Sequence, residues 1–170
     1  MSSDIRQQSR LFRIISLCAA VIVVSCMLFG YGKMQQDDSY IFYTYARNLA
    51  DGHGYVFNIG ERVNATTSPL YTLVLAAGYT SHSILPFMTL PFIGQALAGI
   101  SLFLLCHFLI VSFRGETETP FPYILPLVFL ANPLLSGGFG MEILFAMMLA
   151  VAATAGYVRG RLKTAALLAS

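Results

Sequence analysis

The sequence predicts an all-α polytopic membrane protein with about four transmembrane helices, an outer juxtamembrane helical loop and the start of a fifth span. The first observation is composition: 56% of the 170 residues are hydrophobic and only 11% are charged, whereas soluble domains carry about 25% charged residues. The second is a series of apolar stretches close to the roughly 20 residues that a helix needs to cross a bilayer. The third is the placement of basic residues, which sets the orientation of the chain.

Four stretches are candidate spans within a single membrane domain. They cover residues 11–31, 90–113, 119–135 and 141–158. The third is marginal because it contains four prolines. The net charge is only +2 and there is no basic block, so nucleic acid is not an expected partner. The apolar composition instead predicts contact with membrane lipid.

The positive-inside rule orients these spans. Three arginines before residue 14 place the N-terminus in the cytoplasm, so the loop 32–84 lies outside. A further span at 69–82 would also put the basic cluster 159–163 outside, so we expect 69–82 to rest in the outer interface. Residues 164–170 are interpreted as an interrupted fifth span. The chain is therefore interpreted as the N-terminal part of a longer enzyme or as a truncated gene product.

The polar loop has its own local structure. Residues 37–52 predict a short amphipathic helix, in which Ile41, Tyr45 and Leu49 recur every four positions as an apolar stripe. Gly52 suits a left-handed C-terminal cap. Residues 58–61 have the composition of a turn, with a glycine that supplies a positive φ.

Acidic residues are the first candidates for chemistry. Asp37 and Asp38 stand at a helix start, where one acid would cap free amide groups, but capping does not require two adjacent carboxylates. Glu142 is the only acid between residue 119 and the C-terminus. It is interpreted either as a helix N-terminal acid at the interface or as a functional ionisable group near the membrane. The predicted topology puts all three on the same side.

Other polar residues keep two interpretations each. Arg47 either binds an anion or pairs with Asp51 one turn later. His53, between two glycines, is either a ligand or a solvated loop residue. The tyrosines of the loop either line a site or form an interfacial aromatic belt.

Several segments of the loop, taken in order, resemble a known family. They are Asp37-Asp38-Ser39-Tyr40-Ile41, Ala46-Arg47-Asn48, Gly52-His53-Gly54, Val56-Phe57-Asn58, Gly60-Glu61-Arg62-Val63 and Thr67-Ser68-Pro69-Leu70-Tyr71. They resemble the first outer loop of C-type membrane glycosyltransferases, nearest the bacterial branch that includes mycobacterial terminal arabinofuranosyltransferases. Gly140-Met141-Glu142 resembles the second outer motif of that branch.

The resemblance implies a GT-C fold in the cytoplasmic (inner) membrane and an inverting transfer in a cavity open to the periplasm. The sugar donor would be carried on polyprenyl phosphate, and the acceptor would be a cell-envelope glycan, lipid or protein. Asp38 or Asp37 would be the catalytic base, and Glu142 would position the acceptor or a divalent cation. The three carboxylates would be the ligands of such a cation, although their spacing does not demand one. The implied donor- and acceptor-binding residues are Arg47, Tyr40, His53, Asn58, Glu61, Arg62 and Ser68.

Two other functions remain open at this point. A non-catalytic or truncated membrane subunit would bind lipid-linked sugar or a partner protein without transferring the sugar. A small transporter is disfavoured because its polar residues should lie within the spans, whereas here they concentrate in one loop.

Overall fold

The computed structural model describes residues 36–112, 137–138 and 140–169, with isolated positions between 7 and 25 and between 128 and 132. This part of the chain is helical and contains no β-strand. Its α-helices are α1 (Ser39–Ala50), α2 (Pro69–Tyr79), α3 (Leu90–Ser112), α4 (Ile143–Val158) and α5 (Leu162–Ala169), and a short 3₁₀ helix (Thr80–Ser83) follows α2. The predicted spans 11–31 and 119–135 are described only at isolated positions, so neither can be compared with the structure as a whole.

Helix α3 has the length and composition of a transmembrane helix. Leu90–Ile110 has a mean hydropathy of 2.0 over 21 residues, which corresponds to about 31 Å of helix, close to the thickness of the hydrocarbon core. Helix α4 is equally apolar but has only 16 residues, or about 24 Å. The described residues therefore contain one helix long enough to span, and the four-span arrangement stays a prediction.

Helix α2 is too short to cross a bilayer. Its 11 residues extend about 16 Å, roughly half the thickness of the hydrocarbon core. Pro69 occupies the first turn, where its missing N–H costs no hydrogen bond. The length agrees with the expectation that 69–82 does not span, while its location at a membrane surface stays a prediction.

Helix α1 confirms the predicted helix of the polar loop, with ends two residues inside the predicted ones. A Schellman motif ends it: the N–H of His53 donates to the carbonyl of Asn48 (2.8 Å), and the N–H of Gly52 to that of Leu49 (3.2 Å). Gly52 has a φ of 82°, so the predicted left-handed cap is confirmed. The turn at 58–61 is also confirmed, because the N–H of Glu61 donates to the carbonyl of Asn58 (3.1 Å).

The buried side of α1 differs from the predicted stripe. Tyr45 is fully buried, but Ile41 and Leu49 are only partly buried, and the buried set is instead Ser39, Phe42, Tyr43, Tyr45 and Ala46. The stripe was wrong because α1 packs on two sides. Tyr45 contacts the loop that follows α1, whereas Phe42, Tyr43 and Ala46 belong to a hydrophobic cluster with α2 and α3.

Close contact between α1 and α3 depends on one glycine. A Cβ at Gly94 in α3 would lie 2.5 Å from the hydroxyl of Tyr43, much closer than two such atoms approach. Gly94 therefore leaves the space in which the Tyr43 ring of α1 packs against α3. A second cluster joins α3 to α4 through Ala98, Leu102, Cys106 and Leu144. The helices thereby place the start of α1 beside the start of α4.

Candidate active site

Asp37 and Asp38 lie at the start of α1 and are both exposed. Backbone groups alone close this first turn: the N–H of Ser39 donates to the carbonyl of Gln36 (3.0 Å), and that of Tyr40 to the carbonyl of Asp37 (3.1 Å). Asp38 occupies the N-cap position but makes no side-chain capping hydrogen bond. Helix capping therefore does not account for its carboxylate, which remains available to another group.

Glu142 occupies the N-cap position of α4 and also makes no side-chain capping bond. Its Oε1 accepts a hydrogen bond from the Thr67 hydroxyl at 2.8 Å, across 75 residues of sequence. Its Oε2 is buried and has no hydrogen-bond partner among the described residues. A buried carboxylate oxygen without a partner is costly, so this atom is suited to receive a hydroxyl, a water or a cation.

The Gly140 turn (residues 140–142) is held against α1 and α2. Tyr71 of α2 donates its hydroxyl to the carbonyl of Gly140 at 3.1 Å. A Cβ at Gly140 would lie 2.8 Å from the Tyr43 hydroxyl and 3.0 Å from that of Ser39. The turn therefore touches the residue that directly follows Asp38. The two segments that sequence analysis assigned to one site lie against each other.

Two tyrosines behind this junction are held in the neutral state. Burial raises the pKa of Tyr43, and the neighbouring Tyr40 adds to the shift. Burial also raises the pKa of Tyr71, with smaller contributions from Tyr43 and from the negative charge of Glu142. Neither phenol is therefore suited to act as a base: Tyr71 donates the hydrogen bond to Gly140, and Tyr43 packs beside the same turn.

A three-carboxylate metal site is not formed by the described residues. Within 36–112 and 140–169, no group of three or more histidine, cysteine or acidic side chains is close enough to hold a metal ion. Asp37, Asp38 and Glu142 thus do not converge as a set of three ligands in this conformation.

Helix α1 also carries two of the predicted binding residues, Tyr40 and Arg47. One face of this helix presents Tyr40, Thr44 and Arg47 in succession. The Thr44 hydroxyl donates a hydrogen bond to the carbonyl of Tyr40 (2.8 Å). Arg47 lies nine residues beyond Asp38, about 14 Å along the helix axis. The structure therefore separates the candidate phosphate contact from the candidate base.

Two of the predicted binding residues at the tip of the loop, Asn58 and Glu61, form a hydrogen bond with each other. The Asn58 amide donates to Oε2 of Glu61 at 3.0 Å, so these two predicted binding residues form a pair that stabilises their turn. Ser68 is the N-cap of α2 without a side-chain capping bond, and its carbonyl accepts hydrogen bonds from the N–H and hydroxyl of Thr72.

His53 and Arg62 come together at an open cleft of ≈ 390 Å³. The cleft is lined by His53, Gly54, Tyr55, Val56, Arg62, Val63 and Asn64. Its two walls are fixed to α1. Asn48 donates to the carbonyls of Val56 (2.8 Å) and Phe57 (2.9 Å), and the Tyr45 hydroxyl accepts from the N–H of Ala65 (3.0 Å) and donates to the carbonyl of Val63.

Sequence reasoning did not assign a role to Thr67, Tyr71 or Gly140. All three stand in motifs that carried the family resemblance, which is the one signal that pointed to them. Their partners lie 69 to 75 residues away, and no local pattern encodes such contacts.

Part of the chain is similar to a protein of Mycobacterium tuberculosis (strain ATCC 25618 / H37Rv), the terminal beta-(1->2)-arabinofuranosyltransferase. The two sequences are 44% identical over 68 residues, which cover 38% of this chain. The chain spans 11% of the length of that protein. No protein-family model and no solved structure matches the chain.

Proposed function

We propose that this chain forms one wall of the active site of an inverting C-type membrane glycosyltransferase. The donor is a sugar on polyprenyl phosphate, and the acceptor is a hydroxyl of a cell-envelope glycan, lipid or protein. The reaction takes place at the periplasmic face of the cytoplasmic membrane, with the N-terminus in the cytoplasm and four spans. The observation that carries the proposal is the contact of the Gly140 turn, which bears Glu142, with the residues that follow Asp37 and Asp38.

The chemistry requires a base more than an acid, because a lipid phosphate is already a good leaving group. In the proposed step, Asp38 or Asp37 takes the proton of the acceptor hydroxyl. The acceptor oxygen then forms a bond to the anomeric carbon as the bond between that carbon and the phosphate oxygen breaks. The lipid phosphate leaves with the electron pair, and the proton remains on the aspartate until solvent removes it.

The other groups have supporting roles in this proposal. The free Oε2 of Glu142 accepts a hydrogen bond from the acceptor or contacts a divalent cation, while Thr67 fixes the carboxylate through Oε1. Arg47 receives charge from the leaving phosphate. In an inverting displacement the leaving group departs on the side of the sugar opposite the base. A separation between Arg47, which would contact the leaving phosphate, and Asp38, which would be the base, is therefore expected.

The test is transfer of arabinofuranose from a polyprenyl-phosphate donor to a synthetic arabinofuranosyl acceptor, in membranes that contain the protein as its gene encodes it. Asp38→Asn should lower the rate by roughly 100-fold or more, the lower end of the contribution of a general base. Asp51→Asn, an acid at the other end of α1, is the matched control and should retain activity.

Two outcomes would decide against this assignment. Wild-type rates in both the Asp37→Asn and the Asp38→Asn proteins would exclude either residue as the base. Donor binding without transfer by the unmodified protein would favour the alternative, a non-catalytic membrane subunit that binds lipid-linked sugar.

A further inference from the structure

A tight turn joins α4 to α5. Gly160 has a φ of 71°, and its N–H donates to the carbonyl of Tyr157 (2.9 Å). The N–H of Arg161 donates to the carbonyl of Gly156 (2.9 Å), which completes the same Schellman motif that ends α1. Helix α5 follows at once and contacts α4. Backbone hydrogen bonds therefore fix the shape of residues 157–163, which we call the α4–α5 corner.

The α4–α5 corner carries three cations, Arg159, Arg161 and Lys163, and all three side chains are exposed. The side chains of Arg161 and Lys163 make no hydrogen bond or ion pair to another described residue. In a continuous helix Arg159 and Arg161 would point about 200° apart. Because the turn at Gly160 ends α4 between them, the helix does not impose that separation. The corner therefore presents its positive charges at one small, exposed region of the chain.

No acidic side chain balances this charge from within α4 or α5. Residues 143–170 contain no Asp or Glu, and Glu142 stands at the opposite end of α4, about 24 Å along the helix axis. Met141 and Phe145, at the start of α4, pack against the cluster that contains Leu90 at the start of α3. Both helices therefore start at the same end of the molecule, beside α1, and the α4–α5 corner lies at the other end of α4.

Large apolar side chains flank these cations on both sides in the chain. Tyr157 is 67% exposed, Val158 is 52% exposed, and Leu167 in the second turn of α5 is 76% exposed. A soluble anion requires only the cations, whereas a phospholipid presents a phosphate directly beside its acyl chains. Tyrosine is enriched at the headgroup level of membrane proteins, and long basic side chains direct their charges towards the same level. The combination of charged and apolar surface therefore fits a phospholipid.

We propose that the α4–α5 corner binds the headgroup phosphate of an anionic phospholipid in the bilayer around the protein. Arg161 and Lys163 contact the phosphate oxygens, and Arg159 adds to the positive potential that attracts an anionic headgroup. Tyr157 and Val158 lie against the adjoining acyl chains. The corner is separate from the junction that holds Glu142, so this proposal does not depend on whether the chain transfers a sugar.

The experiment is titration of the detergent-purified protein, as its gene encodes it, with dioleoylphosphatidylglycerol, followed by native mass spectrometry of the bound lipid. The unmodified protein should bind this lipid more tightly than the zwitterionic dioleoylphosphatidylcholine. Arg161→Gln and Lys163→Gln should each weaken binding about fivefold, and the double variant about 25-fold. Arg62→Gln is the matched control, because it removes one charge from an exposed arginine of the polar loop and should leave binding unchanged. Circular dichroism of each variant verifies the fold.

Equal affinity of the unmodified protein for the two lipids would overturn the proposal. Equal weakening by Arg161→Gln and Arg62→Gln would also overturn it, because net charge alone would then explain the binding. Glycerol 1-phosphate, which has the phosphate but no acyl chains, should bind more weakly than the lipid; equal affinity would indicate a site for soluble phosphate and contradict the proposal. Asp38→Asn should bind the lipid like the unmodified protein, which separates this test from that of the proposed function.

Discussion

Replacing Gly140 with alanine tests whether the turn that carries Glu142 is fitted against α1. At a φ of 83°, alanine costs about 1–2 kcal/mol in backbone strain. Its Cβ would also lie 2.8 Å from the Tyr43 hydroxyl and 3.0 Å from the Ser39 hydroxyl. Both side chains are buried, with exposures of 3% and 0%, so neither can move into solvent. Overpacking of this kind costs about 1–3 kcal/mol, giving a total of roughly 2–5 kcal/mol.

Gly52→Ala is the matched control, because Gly52 has nearly the same φ of 82° but no atom within 4 Å of the position that an added Cβ would take. It should cost only the backbone strain, about 1–2 kcal/mol. Each kcal/mol lowers the midpoint of a chain of this size by roughly 2–4 °C. Thermal unfolding in detergent, followed by far-ultraviolet circular dichroism, should therefore show Gly140→Ala melting several degrees below Gly52→Ala.

A second substitution, at Tyr43, tests whether the contact with its hydroxyl causes the extra loss of stability. Tyr43→Phe removes the hydroxyl nearest to the added Cβ, so it should restore part of the stability of the Gly140→Ala protein. Equal melting temperatures for the two glycine variants would contradict this packing, because the space beside Gly140 would then not be filled by Tyr43 and Ser39.

Two further predictions concern the groups around Glu142. Thr67→Val should leave the fold intact but lower the transfer rate roughly 10- to 100-fold, because a hydrogen bond to a charged group is worth about 1.5–3 kcal/mol. Thr67→Ser keeps the hydroxyl and should keep the rate. Unchanged transfer by the valine variant would count against a role of Thr67 in positioning Glu142. Because Tyr43 and Tyr71 keep their protons when folded but ionise near pH 10 when unfolded, the free energy of unfolding should fall above pH 10 by up to roughly 1.4 kcal/mol per pH unit for each. Tyrosinate absorbance should show these phenols ionising together with unfolding, and early ionisation in the folded protein would contradict their burial.

Local features of the polar loop could be predicted because short-range rules govern them. A glycine after the last apolar position of α1 is sufficient to predict the Schellman cap, since few other residues adopt a positive φ cheaply. The turn at 58–61 follows from the same rule at Gly60, whose φ is 94°. The family resemblance likewise depends on residues that are close in sequence, and the partial similarity to an arabinofuranosyltransferase agrees with it.

The buried face of α1 could not be predicted from periodicity alone. A stripe of Ile41, Tyr45 and Leu49 assumes that one side of the helix is covered, whereas α1 has a loop on one side and two helices on another. Packing on two sides buries Tyr43 and Ala46, which the four-residue repeat leaves out. The number of spans stays a prediction: among the described helices α3 alone is long enough to cross a membrane, and two of the four candidate spans are described only at isolated positions.

Sequence alone established an apolar chain with one polar loop that begins near Asp37 and Asp38. It predicted that the chain is helical and that Glu142 acts together with these two acids. Tertiary structure alone decided how Glu142 is held, since Thr67 and Tyr71 reach its turn from 75 and 69 residues away. It also joined His53 to Arg62 across a cleft. The physical reason is that caps and turns depend on neighbouring residues, whereas these contacts depend on where α1, α2 and α4 come to rest against α3.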